Sequence, residues 1–247
     1  MTIIKICGVR DAATATATVR AGADMIGIMF AESRRKVTPQ ECHDIIEAVQ
    51  AERRIPGPVQ FEAPARGDVR GLGWYSAWSE AIETAVARWR PLIVGVFANQ
   101  TADEVNDIAD AAGLDLVQLS GGEDAEFVRA IERPVLRAVH MFPQTTAEDV
   151  YDIAREGLAA GVLLDTGSAT AKGGTGETFD WEVAAETARR LPFLLAGGLT
   201  VENVAAAVGQ VEPWGIDVSS GVETNGVKDI DKIRAFISAA RGGRNGR

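Results

Sequence analysis

Short apolar, β-branched runs alternate with helical patterns along the whole chain, and this alternation constrains the fold more than any other feature. Strand-type runs occupy Ile3–Cys7, Met25–Phe30, Leu92–Phe97, Leu116–Leu119, Val135–Val139, Val162–Leu164, Phe193–Ala196 and Ile216–Val218. Helical patterns follow them around Asp11–Ala21, Pro39–Ala51, Ala102–Ala112, Asp124–Ile131, Thr146–Glu156, Trp181–Arg190, Val201–Val208 and Asp229–Ala240. Eight strands and eight helices in strict succession predict a parallel sheet closed into a (β/α)8 TIM barrel. A doubly wound open sheet needs fewer units and a Gly-rich dinucleotide turn after its first strand, and Cys7-Gly8-Val9-Arg10 is no such turn.

Helix starts are signed by Thr38-Pro39, Thr101, Asp180 and Thr200, where a side-chain oxygen can cap the first turn. Ala-Gly pairs at 21–22, 112–113 and 160–161 predict left-handed caps before the next strand. One segment breaks the rhythm. Between the second helix and the third strand (about 52–90) lie about forty residues where two to six are usual. Its first part is rich in Pro, Gly and charge; its second, Trp74–Trp89, gathers Trp78, Ile82, Ala85, Val86 and Trp89 on one helical face. That face predicts an extra helix packed on the outside of the barrel, or else a surface through which copies of the chain associate. Either way the segment belongs to the N-terminal face of the barrel, away from the end where barrel chemistry occurs. The barrel is expected over 1–240, with 241–247 as a frayed tail.

The 247 residues are 46% hydrophobic, enough for one barrel-sized core. With a net charge of −10 and no basic stripe, nucleic acid is excluded as a natural partner. Cys7 and Cys42 form no metal or disulfide pattern, no leader precedes Ile3, and no apolar run approaches membrane-spanning length. A cytoplasmic protein with no membrane partner is expected.

In a barrel of this kind, functional residues sit just after the strands. Those positions hold Cys7 and Arg10, then the cationic loop Ser33-Arg34-Arg35-Lys36, then Ser120, His140 and Asp165. The last three loops are glycine-rich: Gly173-Gly174-Thr175-Gly176, Gly197-Gly198 and Ser220-Gly221. Glycine-rich loops here let backbone N–H groups close on a phosphate, whereas any one pair alone could be an ordinary turn. Cys7 is either a small core filler or a placed thiol. Asp165 is either a turn residue or a functional acid, since an unpaired buried carboxylate is costly. A thiol and a carboxyl across one cavity suit a general base and a general acid, provided positive charge favours the thiolate. Arg10 and Lys5 could supply that charge, although Lys5 could instead belong to the packing layers of the barrel. Arg34, Arg35 and Lys36 are either an anion-binding set or a solvated charge run.

Taken together, Lys5-Ile6-Cys7-Gly8, Ala21-Gly22-Ala23-Asp24, Val94-Gly95-Val96-Phe97, Gln118-Leu119, Leu163-Leu164-Asp165, Gly173-Gly174-Thr175-Gly176, Ala196-Gly197-Gly198-Leu199 and Asp217-Val218-Ser219-Ser220-Gly221-Val222-Glu223 resemble phosphoribosylanthranilate isomerase of tryptophan biosynthesis. The resemblance implies an Amadori rearrangement of N-(5′-phosphoribosyl)anthranilate to 1-(2-carboxyphenylamino)-1-deoxy-D-ribulose 5-phosphate, with no cofactor and no metal. It implies Asp165 as general acid, Cys7 as general base and Arg35, or its neighbour Arg34, facing the anthranilate carboxylate. Gly174, Gly176, Gly197, Gly198, Ser220 and Gly221 fall in its phosphate loops. The chain departs from the family in three places: Ser120 stands where the family usually has histidine, Ser33-Arg34-Arg35 replaces Ser-Pro-Arg, and the insertion at about 52–90 is unusual. Two other readings stay open. One is a divergent paralogue that acts on, or only binds, a related sugar phosphate. The other is an epimerase or lyase, which would need paired aspartates or a metal, and the residues offer no such cluster.

Overall fold

A computed structural model describes residues 2–65, 71–156, 159–166 and 181–243. Its parallel strands are β1 (Ile3–Cys7), β2 (Met25–Met29), β3 (Leu92–Phe97), β4 (Leu116–Leu119), β5 (Val135–Met141), β6 (Gly161–Thr166), β7 (Phe193–Leu195) and β8 (Gly215–Val218). They pair in chain order, and β8 returns to β1, so the sheet is a closed barrel. Around it run α1 (Ala12–Ala21), α2 (Pro39–Glu52), α3 (Gly73–Trp89), α4 (Ala102–Ala112), α5 (Ala125–Ala130), α6 (Ala147–Glu156), α7 (Trp181–Ala188), α8 (Val204–Val211) and α9 (Ile230–Gly242). The expected (β/α)8 TIM barrel is the observed fold, with α3 as the additional helix. Among the described residues no helix is long and apolar enough to cross a membrane.

Register determines what the barrel encloses. Cys7 lies beside Gly27, Gly27 beside Val94, Lys5 beside Asp217, and His140 beside Asp165. Because side chains alternate along a strand, Lys5, Cys7, Gln118, His140, Asp165 and Asp217 share the inner face. The helix-facing positions are apolar: Ile4, Ile6, Ile26, Ile28, Ile93, Val117 and Leu164 are all buried.

Local chemistry shapes the helix ends. Thr38 and Thr101 each accept a bond from the backbone of the glutamate three residues on, and that glutamate bonds back to the threonine N–H. Gly22 and Gly113 form the expected left-handed caps. Gly161 does not: it opens β6, where a Cβ would meet Leu136 at 2.8 Å. Nor does Thr200 start a helix. Its N–H donates to the Asn203 side chain in a preceding turn, and α8 begins at Val204. α9 runs through Gly242, and Arg241 in its last turn donates to the Gly22 carbonyl at 2.6 Å.

The extra helix α3 crosses the N-terminal end of the barrel. Trp74 Nε1 donates to the Ala159 carbonyl and the Tyr75 hydroxyl to the Ala154 carbonyl, both at 2.9 Å. Glu83 accepts from Trp214 Nε1 at 2.8 Å. Trp74, Trp78 and Trp89 are each only 8% exposed, so this chain's own barrel has covered the face that could have met another copy. Beside this floor, Asp115 accepts from the Ile93 N–H at 2.6 Å and pairs with the buried Arg53 guanidinium. Arg53 also donates to the Pro91 carbonyl at 2.8 and 3.1 Å. An Asp115→Ala chain, with that guanidinium left buried and unpaired, should lose about 3–5 kcal/mol in denaturant unfolding.

Candidate active site

Cys7 ends β1 with its thiol inside the barrel, 4% exposed. Lys5, one inner-face position below it, is fully buried, and its Nζ donates to Asp217 Oδ1 at 2.9 Å. Space for both side chains comes from Gly27 on β2. A Cβ there would lie 2.8 Å from Cys7 Sγ and 3.1 Å from Lys5 Nζ. Burial pulls the lysine toward its neutral form, but Asp217 and Cys7 outweigh this and hold it above the usual lysine value. Burial likewise pushes the Cys7 thiol up; Lys5 and Lys228 pull it back, and Asp217 adds to the push. Of the two cations considered from the sequence, Lys5 is therefore the one at the thiol. Arg10 is exposed and faces Glu41 at 3.6 Å.

Asp165 projects from the C-terminal end of β6, laterally paired with His140 on β5. His140 Nε2 lies 3.0 Å from the Ser120 carbonyl oxygen, and the Ser120 hydroxyl accepts from Gln118 Nε2 at 3.0 Å. His140 thus brings an imidazole to this mouth from β5, the strand after the one that leads into Ser120.

The cationic loop is not a solvated charge run at Arg34 and Arg35. Both guanidinium groups converge on Glu223: Arg35 donates through Nε at 2.6 Å and Nη2 at 3.1 Å, Arg34 through Nη2 at 2.6 Å. Lys228 Nζ adds a third cation at 3.0 Å. Burial raises the Glu223 carboxyl, but the bonds from Arg35 and Lys228 overcome it and leave it below the usual range. The two arginines are placed differently. The stem of Arg35 covers Gly8, where a Cβ would lie 2.5 Å from Arg35 Cδ, directly after Cys7. Arg34 lies over Gly226 in a hairpin, β9 (Glu223–Thr224) and β10 (Val227–Lys228), and its side chain is 58% exposed against 18% for Arg35. Lys36 points away to Glu32.

After β7 and β8, Gly197, Gly198, Ser220 and Gly221 form two loops whose backbones touch. A Cβ on Gly221 would overlap the Leu199 carbonyl oxygen. Among the described residues, no protein acceptor takes the backbone N–H groups of these four. Gly174 and Gly176 lie outside the described residues. Among the described residues there is also no group of three His, Cys, Asp or Glu side chains able to hold a metal ion.

Sequence reasoning missed Asp217, Gly27, Lys228 and the role of Glu223 as the arginines' anchor. Lys5 and Asp217 are 212 positions apart, and only closure of β8 on β1 joins them.

Fold and site together define a (β/α)8 barrel that presents a thiol and a carboxyl to one mouth, beside two glycine-rich loops whose backbones touch. Residues 75–239 match the family described as N-(5′-phosphoribosyl)anthranilate (PRA) isomerase. An N-(5′-phosphoribosyl)anthranilate isomerase of Roseiflexus castenholzii is 43% identical over 97% of this chain and 98% of its own length. The phosphoribosyl anthranilate isomerase structure from Thermotoga maritima is 31% identical with a TM-score of 0.73, covering 98% of this chain and all of that one. A second isomerase structure, in complex with reduced 1-(o-carboxyphenylamino)-1-deoxyribulose 5-phosphate, is 29% identical with a TM-score of 0.70, over 98% of this chain and all of that one. The chain belongs to the phosphoribosylanthranilate isomerase family.

Proposed function

We infer that this chain isomerises N-(5′-phosphoribosyl)anthranilate to 1-(2-carboxyphenylamino)-1-deoxy-D-ribulose 5-phosphate, a step of tryptophan biosynthesis. The observation that carries the reading is the family match combined with Cys7 and Asp165 on the inner face at the same mouth. Asp165 gives a proton to the ribose ring oxygen; the C1–O bond breaks as the anilino nitrogen forms a C=N bond. The Cys7 thiolate then takes the C2 proton, the C2–H electrons become a C1=C2 bond, and the C=N electrons return to nitrogen. Tautomerisation of the resulting enol places a proton on C1 and leaves the C2 ketone. No electrons leave the substrate, so no cofactor is required.

Charge and loop geometry support the rest of the pose. Arg35, beside Cys7, is the cation we assign to the anthranilate carboxylate; Arg34, held over the β9–β10 hairpin, supports it through their shared Glu223. Gly197, Gly198, Ser220 and Gly221 supply backbone donors for the phosphate, and by resemblance Gly174 and Gly176 join them. We assign the reaction to the cytoplasm, a reading that the two free cysteines support. An association of copies through the 52–90 segment would have to use the outer face of α3, because its tryptophans are already buried.

The direct test follows the loss of anthranilate fluorescence from freshly made phosphoribosylanthranilate. Turnover well above the buffer rate is expected. A protein that binds the substrate and does not turn it over would establish the binding-only alternative instead.

A further inference from the structure

Cys7 works as a base only as a thiolate, yet it sits in a buried place where a lone thiol would hold its proton. Among the described residues, the charged groups around it are few. From its own strand Lys5 approaches from below; from β8 Asp217 holds Lys5 at 2.9 Å; from β10 Lys228 contributes positive charge; β2 contributes only Gly27. Asp165 faces the same mouth from β6. Lys228 is anchored elsewhere, donating to the Ser219 carbonyl at 2.8 Å and to Glu223 at 3.0 Å. Among the described residues, Lys5 has only Asp217 and the thiol as partners. Building an ion pair inside the barrel is expensive in desolvation, and apolar residues of similar volume would fill those positions at least as stably. An ion pair at that depth, under the reacting sulfur, calls for a reason other than packing.

We propose that Lys5 and Asp217 are positioning residues for the reaction: the Lys5 ammonium steadies the Cys7 thiolate, and Asp217 fixes that ammonium while limiting how strongly it acts. The pair works in opposition. The cation favours the thiolate, the carboxylate opposes it, and Gly27 gives the space in which sulfur and ammonium approach each other. Burial and Asp217 together push the thiol up while Lys5 pulls it back, so the base becomes available as pH rises. This inference rests on the isomerase reading with Cys7 as base, and it adds the device that tunes it.

Two opposed substitutions test it. In Lys5→Met the ascending limb of kcat/KM against pH should move up by at least about one pH unit, kcat at neutral pH falling about tenfold with little change in KM. In Asp217→Asn, which keeps the shape, the limb should move down. Lys5→Arg should restore much of the Lys5→Met loss. The same order should appear in thiolate absorbance near 240 nm, titrated without substrate in a Cys42→Ser background. Thermal unfolding of each variant confirms that it is folded, and if Lys5→Met fails to fold, Asp217→Asn carries the test alone. Limbs that stay in place, or shift together in one direction, overturn the proposal. Its failure is separable from that of the isomerase reading: an active parent inactivated by Cys7→Ser, with unmoved Lys5 and Asp217 profiles, sinks only the tuning device.

Discussion

Replacing Cys7 by serine is expected to lower kcat/KM by at least about a hundredfold, and Asp165→Asn by a similar factor, with the fold intact. A serine hydroxyl fits the space but holds its proton far more strongly than a thiol. The C2 proton then has no competent acceptor, and substrate should still bind. The amide in Asp165→Asn keeps the size of the side chain and removes its donated proton, so ring opening should stop. Single-turnover mixing separates the two: Cys7→Ser should pass ring opening and stall, whereas Asp165→Asn should stall before it. If either variant keeps more than about a tenth of parental turnover, that residue is not the acid or base of the reaction.

The second large effect is expected at Gly221. Adding a methyl group there sets Cβ against the Leu199 carbonyl oxygen, a clash of backbone with side chain that no rotamer relieves. The loops after β7 and β8 must separate, and the backbone donors of Gly197, Gly198 and Ser220 lose their common focus. Gly221→Ala should therefore raise KM at least about tenfold and weaken inhibition by inorganic phosphate in parallel, while kcat at saturation falls less. An unchanged KM would mean that the phosphate is held elsewhere.

Much of the fold was legible because each strand is a short apolar run bounded by turn residues, and burial on both faces leaves little ambiguity in such runs. Misreadings arose where local chemistry imitates an element. Thr200-Val201 looks like a cap and first turn, but Asn203 captures the Thr200 N–H first and delays α8 by three residues. The β9–β10 hairpin has a visible Asn225-Gly226 turn, yet its two-residue strands are too short to show a period. The site was legible as positions and much less so as partnerships. Cys7, Asp165 and the glycine loops follow from strand ends alone. The Lys5–Asp217 pair and the Glu223 clasp join residues 188 to 212 positions apart, which no local pattern encodes. The choice between Arg34 and Arg35 likewise rests on which of them crosses Gly8.

The helix beneath the barrel has an evolutionary consequence. With α3, its tryptophans and the Arg53–Asp115 pair closing one end, a block of buried contacts lies far from the mouth. Substitutions at the mouth can therefore accumulate against a reserve held at the floor, and substrate preference can drift in such a chain long before the barrel is at risk of collapse.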